Sequence, residues 1–229
     1  MKNFTKSLIA LLLLSTSAIY SQQFTSRNSG TDVRLNIYGS YAFKDSFDSY
    51  YSNGNYSGQL QDGLQYGGGL EYIVGDHTGV ELSYIGQTTT APTTYYYPLT
   101  TAKVNYDVQM NYIMIGGNKY FRQAGSKFEG FGGLSIGMNI VDINNPNPSS
   151  NYTYNDQTIT KFAWGVKAGG IVWVSNKVGI KMQAQLLSTS QTFGGGLYFG
   201  TGGGGATVSS YSTVYQFSLG GGLVFQLSK

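Results

Sequence analysis

Val33-Arg34-Leu35-Asn36-Ile37-Tyr38-Gly39-Ser40-Tyr41-Ala42-Phe43 alternates. Val33, Leu35, Ile37, Gly39, Tyr41 and Phe43 fall on one side of an extended chain, and Arg34, Asn36, Tyr38, Ser40 and Ala42 on the other, because successive strand side chains take opposite faces. Seven further stretches, at residues 64–74, 80–86, 104–116, 128–140, 162–174, 178–186 and 215–227, keep the same period of two, and the apolar side of each carries no charged side chain. In residues 104–116, Val104, Tyr106, Val108, Met110, Tyr112 and Met114 oppose Asn105, Asp107, Gln109 and Asn111, with Ile113 and Ile115 interrupting the polar side. Apolar strand faces free of charge are suited to hydrocarbon, and strands of about ten residues separated by turn residues are the expected pattern of a chain that crosses a bilayer as a sheet.

Charged residues make up 11% of the chain, against about 25% in an ordinary soluble protein. A water-exposed surface so poor in charge would be sticky. The 33 Gly and 20 Tyr are both heavy usage. Lys2 and Lys6, an apolar run at 8–14 and small residues at 15–21 form the pattern of a secretory signal peptide, with cleavage expected after Ser21 and a mature domain of residues 22–229. The apolar run is shorter than the about 20 residues that a membrane helix needs, and no later window qualifies. Cys is absent, so neither a lipoprotein signal nor a disulfide framework is expected. Loss of Lys2 and Lys6 reduces the formal charge of +3 to about +1, and the remaining bases are scattered, which argues against nucleic acid.

The joins alternate in length. Long ones at 44–63, 87–103, 141–161 and 187–214 carry Asn53-Gly54, Pro92, Pro98, Pro146, Pro148 and a glycine run at 202–205, all breakers of regular structure; short ones fall at 75–79, 118–127 and 175–177. Hydrocarbon offers backbone N–H and C=O groups no partner, so strands can cross it only as a closed ring. The expected fold is therefore all-β, an eight-stranded antiparallel up-and-down transmembrane β-barrel, with the long loops outside the cell and the short turns and both termini in the periplasm. Tyr41, Phe43, Tyr66, Tyr106, Phe162, Trp164, Tyr215 and Phe217 are placed to form an outer aromatic girdle, and Tyr72, Phe128 and Phe225 an inner one at the membrane interfaces.

On the polar faces the ionisable residues are Arg34, Glu71, Glu81, Asp107, Glu129, Lys161, Lys167 and Lys181. Acids lie on the second to fifth strands and bases on the first, sixth and seventh, so closing the ring sets an acidic half-wall against a basic one. Buried charges are costly unless paired, and an eight-stranded interior is just wide enough for side chains to fill. A self-neutralising plug is the plain reading. The sharper one is a gate in which Glu71 or Asp107 exchanges partners among Lys167 and Arg34.

Catalytic signals are weak. The single histidine, His77, lies in the short turn Gly75-Asp76-His77-Thr78, on the presumed periplasmic side and away from any lipid-facing pocket, and reads as a solvated turn residue rather than the His that triad logic sets beside a Ser or an acid. Asp142, Asn144, Asn145, Asn155 and Asp156 offer oxygens suited to calcium without EF-hand spacing, and turn formation accounts for them. The glycine runs at 194–196 and 202–205 lack the Lys and Ser/Thr of a phosphate loop. No catalytic residue, metal or cofactor is expected.

Together, the signal segment, the eight alternating stretches, the long loops and the last strand Tyr215-Gln216-Phe217-Ser218-Leu219-Gly220-Gly221-Gly222-Leu223-Val224-Phe225 resemble the small outer-membrane β-barrel proteins of Gram-negative bacteria. Closest in style are the OmpA/OmpX-like and porin-like families, including their Bacteroidota members, and the likeness covers nearly all of the mature chain. It implies contact with outer-membrane lipid and lipopolysaccharide, and insertion by the barrel assembly machinery, which commonly reads a terminal aromatic; here Phe225 is followed by four more residues.

Three functions follow as expectations. The first is a non-enzymatic barrel in a structural or interaction role at the cell surface, or as a subunit of a larger outer-membrane complex, with loop aromatics such as Tyr50, Tyr56, Tyr95 and Tyr152 as contacts. The second is a narrow channel for ions or small solutes. The third is a secreted lipocalin-like carrier with its apolar face turned inward; its outer wall would then bear only the eight charges above, too few for a surface normally about 25 to 35% charged.

Overall fold

The computed structural model describes residues 32–51, 54–74, 77–96, 101–146, 157–192, 197–200, 203–206 and 211–227. The expected signal segment at 1–21 lies outside them.

Among the described residues twelve strands follow in order: β1 (Asp32–Ala42), β2 (Asp45–Tyr51), β3 (Gly54–Leu60), β4 (Gly63–Val74), β5 (Thr78–Tyr96), β6 (Thr101–Phe121), β7 (Phe128–Asn144), β8 (Gln157–Trp173), β9 (Val178–Thr192), β10 (Leu197–Gly200), β11 (Gly203–Ala206) and β12 (Tyr211–Gln226). Eight of them close a ring, β1-β4-β5-β6-β7-β8-β9-β12, in which every neighbouring pair is antiparallel and β12 returns to β1. The fold is an eight-stranded up-and-down barrel, and all eight alternating stretches of the sequence lie on its staves. Followed across the ring from Arg34, the register runs through Glu71, Glu81, Gly116, Ser135, Gly165, Leu187 and Gln216. It comes back to β1 ten residues higher, opposite position 44. A stagger of that size over eight strands corresponds to a tilt of about 40°.

Several staves run beyond the expected strand ends. β5 continues to Tyr96 and β6 begins at Thr101, where loops were expected. The join at 44–63 is also ordered as the antiparallel pair β2–β3, in which Tyr51 and Gly54 are register partners. β3 then pairs with β5 through Gly58 and Thr93, so the pair lengthens the first two staves upward. Pro92 sits in the gap where β5 has finished pairing with β4 at Gln87 and not yet begun with β3 at Thr93. A residue without an N–H costs no ladder bond there.

Polarity divides the barrel by height. In the lower two thirds the outside is apolar: Ile37, Leu70, Leu82, Ile113, Ile115, Leu134, Ile136, Met182 and Leu219 are exposed. Tyr41, Phe43, Tyr66, Tyr84, Phe162, Tyr215 and Phe217 ring the upper edge of this band, and Tyr72, Phe121 and Phe128 its lower edge. From Phe217 to Phe225 on β12 the chain rises roughly 26 Å along the strand, or about 20 Å along the barrel axis at this tilt, which suits a thin hydrocarbon layer. Above the girdle the sides exchange roles. Asn105, Asp107 and Gln109 are exposed outside, while Ala91, Tyr106, Val108, Met110, Val141 and Val214 are buried inside, with Phe47, Val104 and Ile143 packed against them.

Inward glycines make the filled interior fit. A side chain at Gly67 would meet the Tyr38 ring, at Gly69 and Gly79 the carboxylates of Glu81 and Glu71, and at Gly179 the side chains of Ile171 and Trp173. Large and small residues thus alternate around the lumen, as a tapered ring of eight strands requires.

Candidate functional site

The site is the lower lumen. Glu71 on β4 and Glu81 on β5 are register partners on the inward face, two like charges side by side, and each is about 1% exposed. Such a pair persists only with donors to both carboxylates. Asn118 on β6 supplies them, its amide donating to Glu71 Oε1 at 2.7 Å and to Glu81 Oε2 at 3.1 Å. Asn36 on β1 donates to Glu81 at 3.1 Å and to Glu71 at 3.4 Å, while its carbonyl accepts from Lys181 Nζ at 3.4 Å. Tyr120 donates to Glu71 at 2.7 Å, and Lys167 on β8 reaches across the lumen to form an ion pair with Glu81.

A second unit closes the ring just below. Arg34 Nη2 donates to Glu129 Oε1 at 3.1 Å from the opposite side of the barrel, four strands away. Trp173 Nε1 donates to the other oxygen of Glu129 at 2.8 Å. The guanidinium lies 4.5 Å from the centre of the Tyr120 ring and 5.3 Å from that of Trp173, and Lys181 Nζ lies 4.5 Å from the Phe131 ring centre. These are cation–π distances. Tyr120, Phe131, Ile171, Trp173 and Val224 form the apolar collar around the pair. Arg34, Glu71, Glu81, Glu129 and Lys181 are all 1 to 3% exposed, whereas side chains lining an aqueous bore would be wetted.

Above the charges lies a layer of uncharged groups at the height of the upper girdle. Gln65 Nε2 donates to Gln87 at 2.8 Å, Tyr112 donates to Gln216 at 3.1 Å, Thr189 to Tyr112 at 3.2 Å, and Asn139 to Thr189 at 3.1 Å. The Nε2 atoms of Gln87 and Gln216 and the hydroxyl of Ser218 are buried without a protein partner. The apolar upper interior begins above this layer, where Tyr95 and Tyr106 join hydroxyls at 2.9 Å and Tyr56 packs 5.8 Å from Tyr95. Tyr56 and Tyr95, expected as exposed loop contacts, are thus part of that packing.

Of the eight ionisable residues expected inside, Arg34, Glu71, Glu81, Glu129, Lys167 and Lys181 meet in the network just described, three acids with three bases. Lys161 shares their inward face, half-buried and opposite Asn139. Asp107 does not belong: it is exposed on the outer wall above the girdle, beside Thr90 and Asn144. Tyr106 moves the opposite way, from expected girdle to buried interior. Both corrections have one cause, because β6 presents its even-numbered residues inward throughout, and residues 104–112 lie above the band where outside is polar. The gate pairings change accordingly, with Glu81 meeting Lys167 and Glu129 meeting Arg34. The other expected girdle residues, Tyr41, Phe43, Tyr66, Tyr72, Phe128, Phe162, Trp164, Tyr215, Phe217 and Phe225, lie on the outward face, with Trp164 6.4 Å from Tyr215. Sequence reading missed Asn36, Asn118, Tyr120, Tyr84 and Trp173. Asn36, Tyr84 and Trp173 had the right parity on staves already identified, whereas Asn118 and Tyr120 fell in a presumed turn.

His77 is exposed in the turn between β4 and β5, where its carbonyl accepts from the backbone of Tyr120 at 2.8 Å. Ser126 stands near the same rim with its hydroxyl taken by the backbone N–H of Phe128 at 3.0 Å. Among the described residues no cluster of three His, Cys, Asp or Glu could hold a metal ion. Of the oxygen-bearing loop residues, Asp142, Asn144 and Asn145 are described and Asn155 and Asp156 lie outside the described residues.

No protein-family model and no curated protein matches this sequence. Solved structures do. The chain is similar to Neisserial surface protein A, with 14% identity over 85% of this chain and 97% of that one and a TM-score of 0.55. It is similar to the outer membrane protein OprG from Pseudomonas aeruginosa, with 12% identity over 88% and 98% and a TM-score of 0.56. It is also similar to the outer membrane protease OmpT from Escherichia coli, with 9% identity over 90% and 100% and a TM-score of 0.53. At these identities the likeness is one of fold, and the fold is that of small outer-membrane β-barrels.

Proposed function

We propose that the chain is an integral outer-membrane barrel, non-enzymatic, with a charge-plugged lumen, serving a structural or interaction role at the cell surface or within a larger outer-membrane complex. The observation that carries this reading is the inversion of the lower barrel, with unpaired apolar side chains outside and paired charges sealed inside. That is the arrangement hydrocarbon demands, and the reverse of an inward-turned apolar carrier. In this reading residues 1–21 are removed on export, the termini and short turns face the periplasm, and the upper extension stands outside the cell. Lipid and lipopolysaccharide wet the band, and the barrel assembly machinery inserts the chain. The non-enzymatic reading rests on the exposed position of His77 in its turn, whereas the carboxylates of Glu71 and Glu81 are buried in the lumen and engaged by Asn36, Asn118, Tyr120 and Lys167.

A narrow channel is the second reading, and the unpartnered amide and hydroxyl groups of the middle layer favour it, since such groups solvate small polar species. Planar-bilayer recording of the purified chain separates the two. The plug reading expects a silent membrane, with the mature chain beginning at Gln22 and fractionating with outer membranes. Steady conductance steps would establish the channel instead, and recovery in the soluble fraction would remove both.

A further inference from the structure

Beneath the band, the lower rim carries a cleft of about 610 Å³ between the turn joining β4 to β5 and the turn joining β6 to β7, lined by His77, Lys119, Arg122, Phe121, Ser126 and Phe128 among others. We infer that this cleft seats the headgroup of an anionic phospholipid, whose acyl chain lies on a glycine-floored strip of the outer wall above it. The inference rests on the membrane reading and goes beyond it by assigning a lipid site.

Charge comes first. Lys119 and Arg122 line the cleft and no carboxylate does among the described residues. Arg122 Nε donates to the Ser126 carbonyl at 2.9 Å, which fixes the guanidinium and uses one of its five donors. The remainder of that fork matches a phosphate. Lys119 Nζ is held only by a 3.5 Å contact to Thr78 Oγ1, at the long limit of a hydrogen bond, and adds a point charge beside it. The two turns are tied together by the bond from the Tyr120 N–H to the His77 carbonyl. Lys127 and Lys177 lie on the same rim, where Asp32 is buried, whereas at the far end Lys44 and Lys103 stand with Asp45, Asp62, Asp107 and Asp142, so among the described residues this rim is the more basic end.

Apolar geometry then selects a lipid over a free anion. Phe121 and Phe128 are 63% and 49% exposed beside the cations, a poor setting for inorganic phosphate and a good one at a bilayer interface. Directly above, Gly132 is the register partner of Lys119 and Gly117 that of Leu134. Side chains added at Gly117 or Gly132 would touch nothing. The strip they floor is bounded by Ile115 and Leu134, both exposed. A chain of methylenes fills such a strip, and basic pockets at membrane depth are suited to anionic headgroups.

The test uses the mature chain in nanodiscs of phosphatidylcholine with one fifth phosphatidylglycerol, with retained lipid read by native mass spectrometry. Wild type is expected to keep phosphatidylglycerol over phosphatidylcholine, K119Q and R122Q each to lose about fivefold of that preference, and G132L to lose retention with both cations intact. K103Q, at the opposite end, should change nothing. Equal retention of the two lipids, equal behaviour of wild type and K119Q/R122Q, or displacement of the lipid by inorganic phosphate would each overturn the inference. Insertion is read separately by protection of the strands from protease in the same discs. A digested chain fails the membrane reading, and a protected chain without lipid preference fails this one alone.

Discussion

Asn118 and Asn36 explain how two adjacent buried glutamates coexist. Each gives both amide hydrogens to Glu71 and Glu81, so the like charges share donors, and Lys167 on Glu81 with Lys181 on the Asn36 carbonyl supplies the two compensating positive charges. Removing one partner from such a set leaves an uncompensated buried charge, which costs about 3 to 5 kcal/mol, whereas replacing both partners by neutral groups is often near neutral. K167M should therefore lower stability to urea in lipid vesicles by about 3 to 5 kcal/mol, and E81Q/K167M should regain most of it. Additive losses in the double variant would show that the pair is not coupled. Turn chemistry is equally local: Gly125 has φ 77° and occupies the third position of the turn closed by Ser126 N–H to Gln123 carbonyl at 3.0 Å, a type II turn that needs φ > 0 there. G125A should cost about 1 kcal/mol, with G125N milder.

Element by element, legibility depended on whether a stave crosses the upper girdle. β1 reads cleanly because Val33 through Phe43 lie within the band, where apolar means outside. β6 spans both regimes: residues 104–112 lie above the band and put apolar groups inward, whereas Ile113 and Ile115 lie within it and put them outward. The two polarities overlap in one strand, so the best single frame chose the interior as the lipid face, and Ile113 and Ile115 were the trace of the true one. Stave ends such as 87–96 were missed because Thr-rich, weakly apolar sequence around Pro92 carries little period-two signal. The plug was legible as charge balance and its bridging by Asn was not, since an amide on an inward face has no signature of its own. One comparison tests the revised face of β6, and a second tests the height of the apolar band. Y106A should cost about 3 to 5 kcal/mol, as loss of a buried aromatic does, and D107A less than about 0.5 kcal/mol; the reverse order would restore the earlier face. On β7, I136R in the band should cost about 2 to 4 kcal/mol in a bilayer, and T90R on the outer wall above the girdle should cost little.

At the scale of the whole molecule, the chain is one ring whose outer face changes polarity with height. The lower part is an inverted barrel holding three acids and three bases inside, and the upper part has a polar outer wall and an apolar interior, which in the proposed reading stands in water above the membrane. With no Cys in the chain, single cysteines at Leu82, Ile136 and Leu219 can be spin-labelled after reconstitution, with Asp107 as the wet reference. Relaxation by oxygen and by a water-soluble nickel complex then reports each site's surroundings. The account expects labels at 82, 136 and 219 to be relaxed by oxygen and shielded from nickel, and the label at 107 to be relaxed by nickel. Nickel access at the three band sites equal to that at 107 would contradict it.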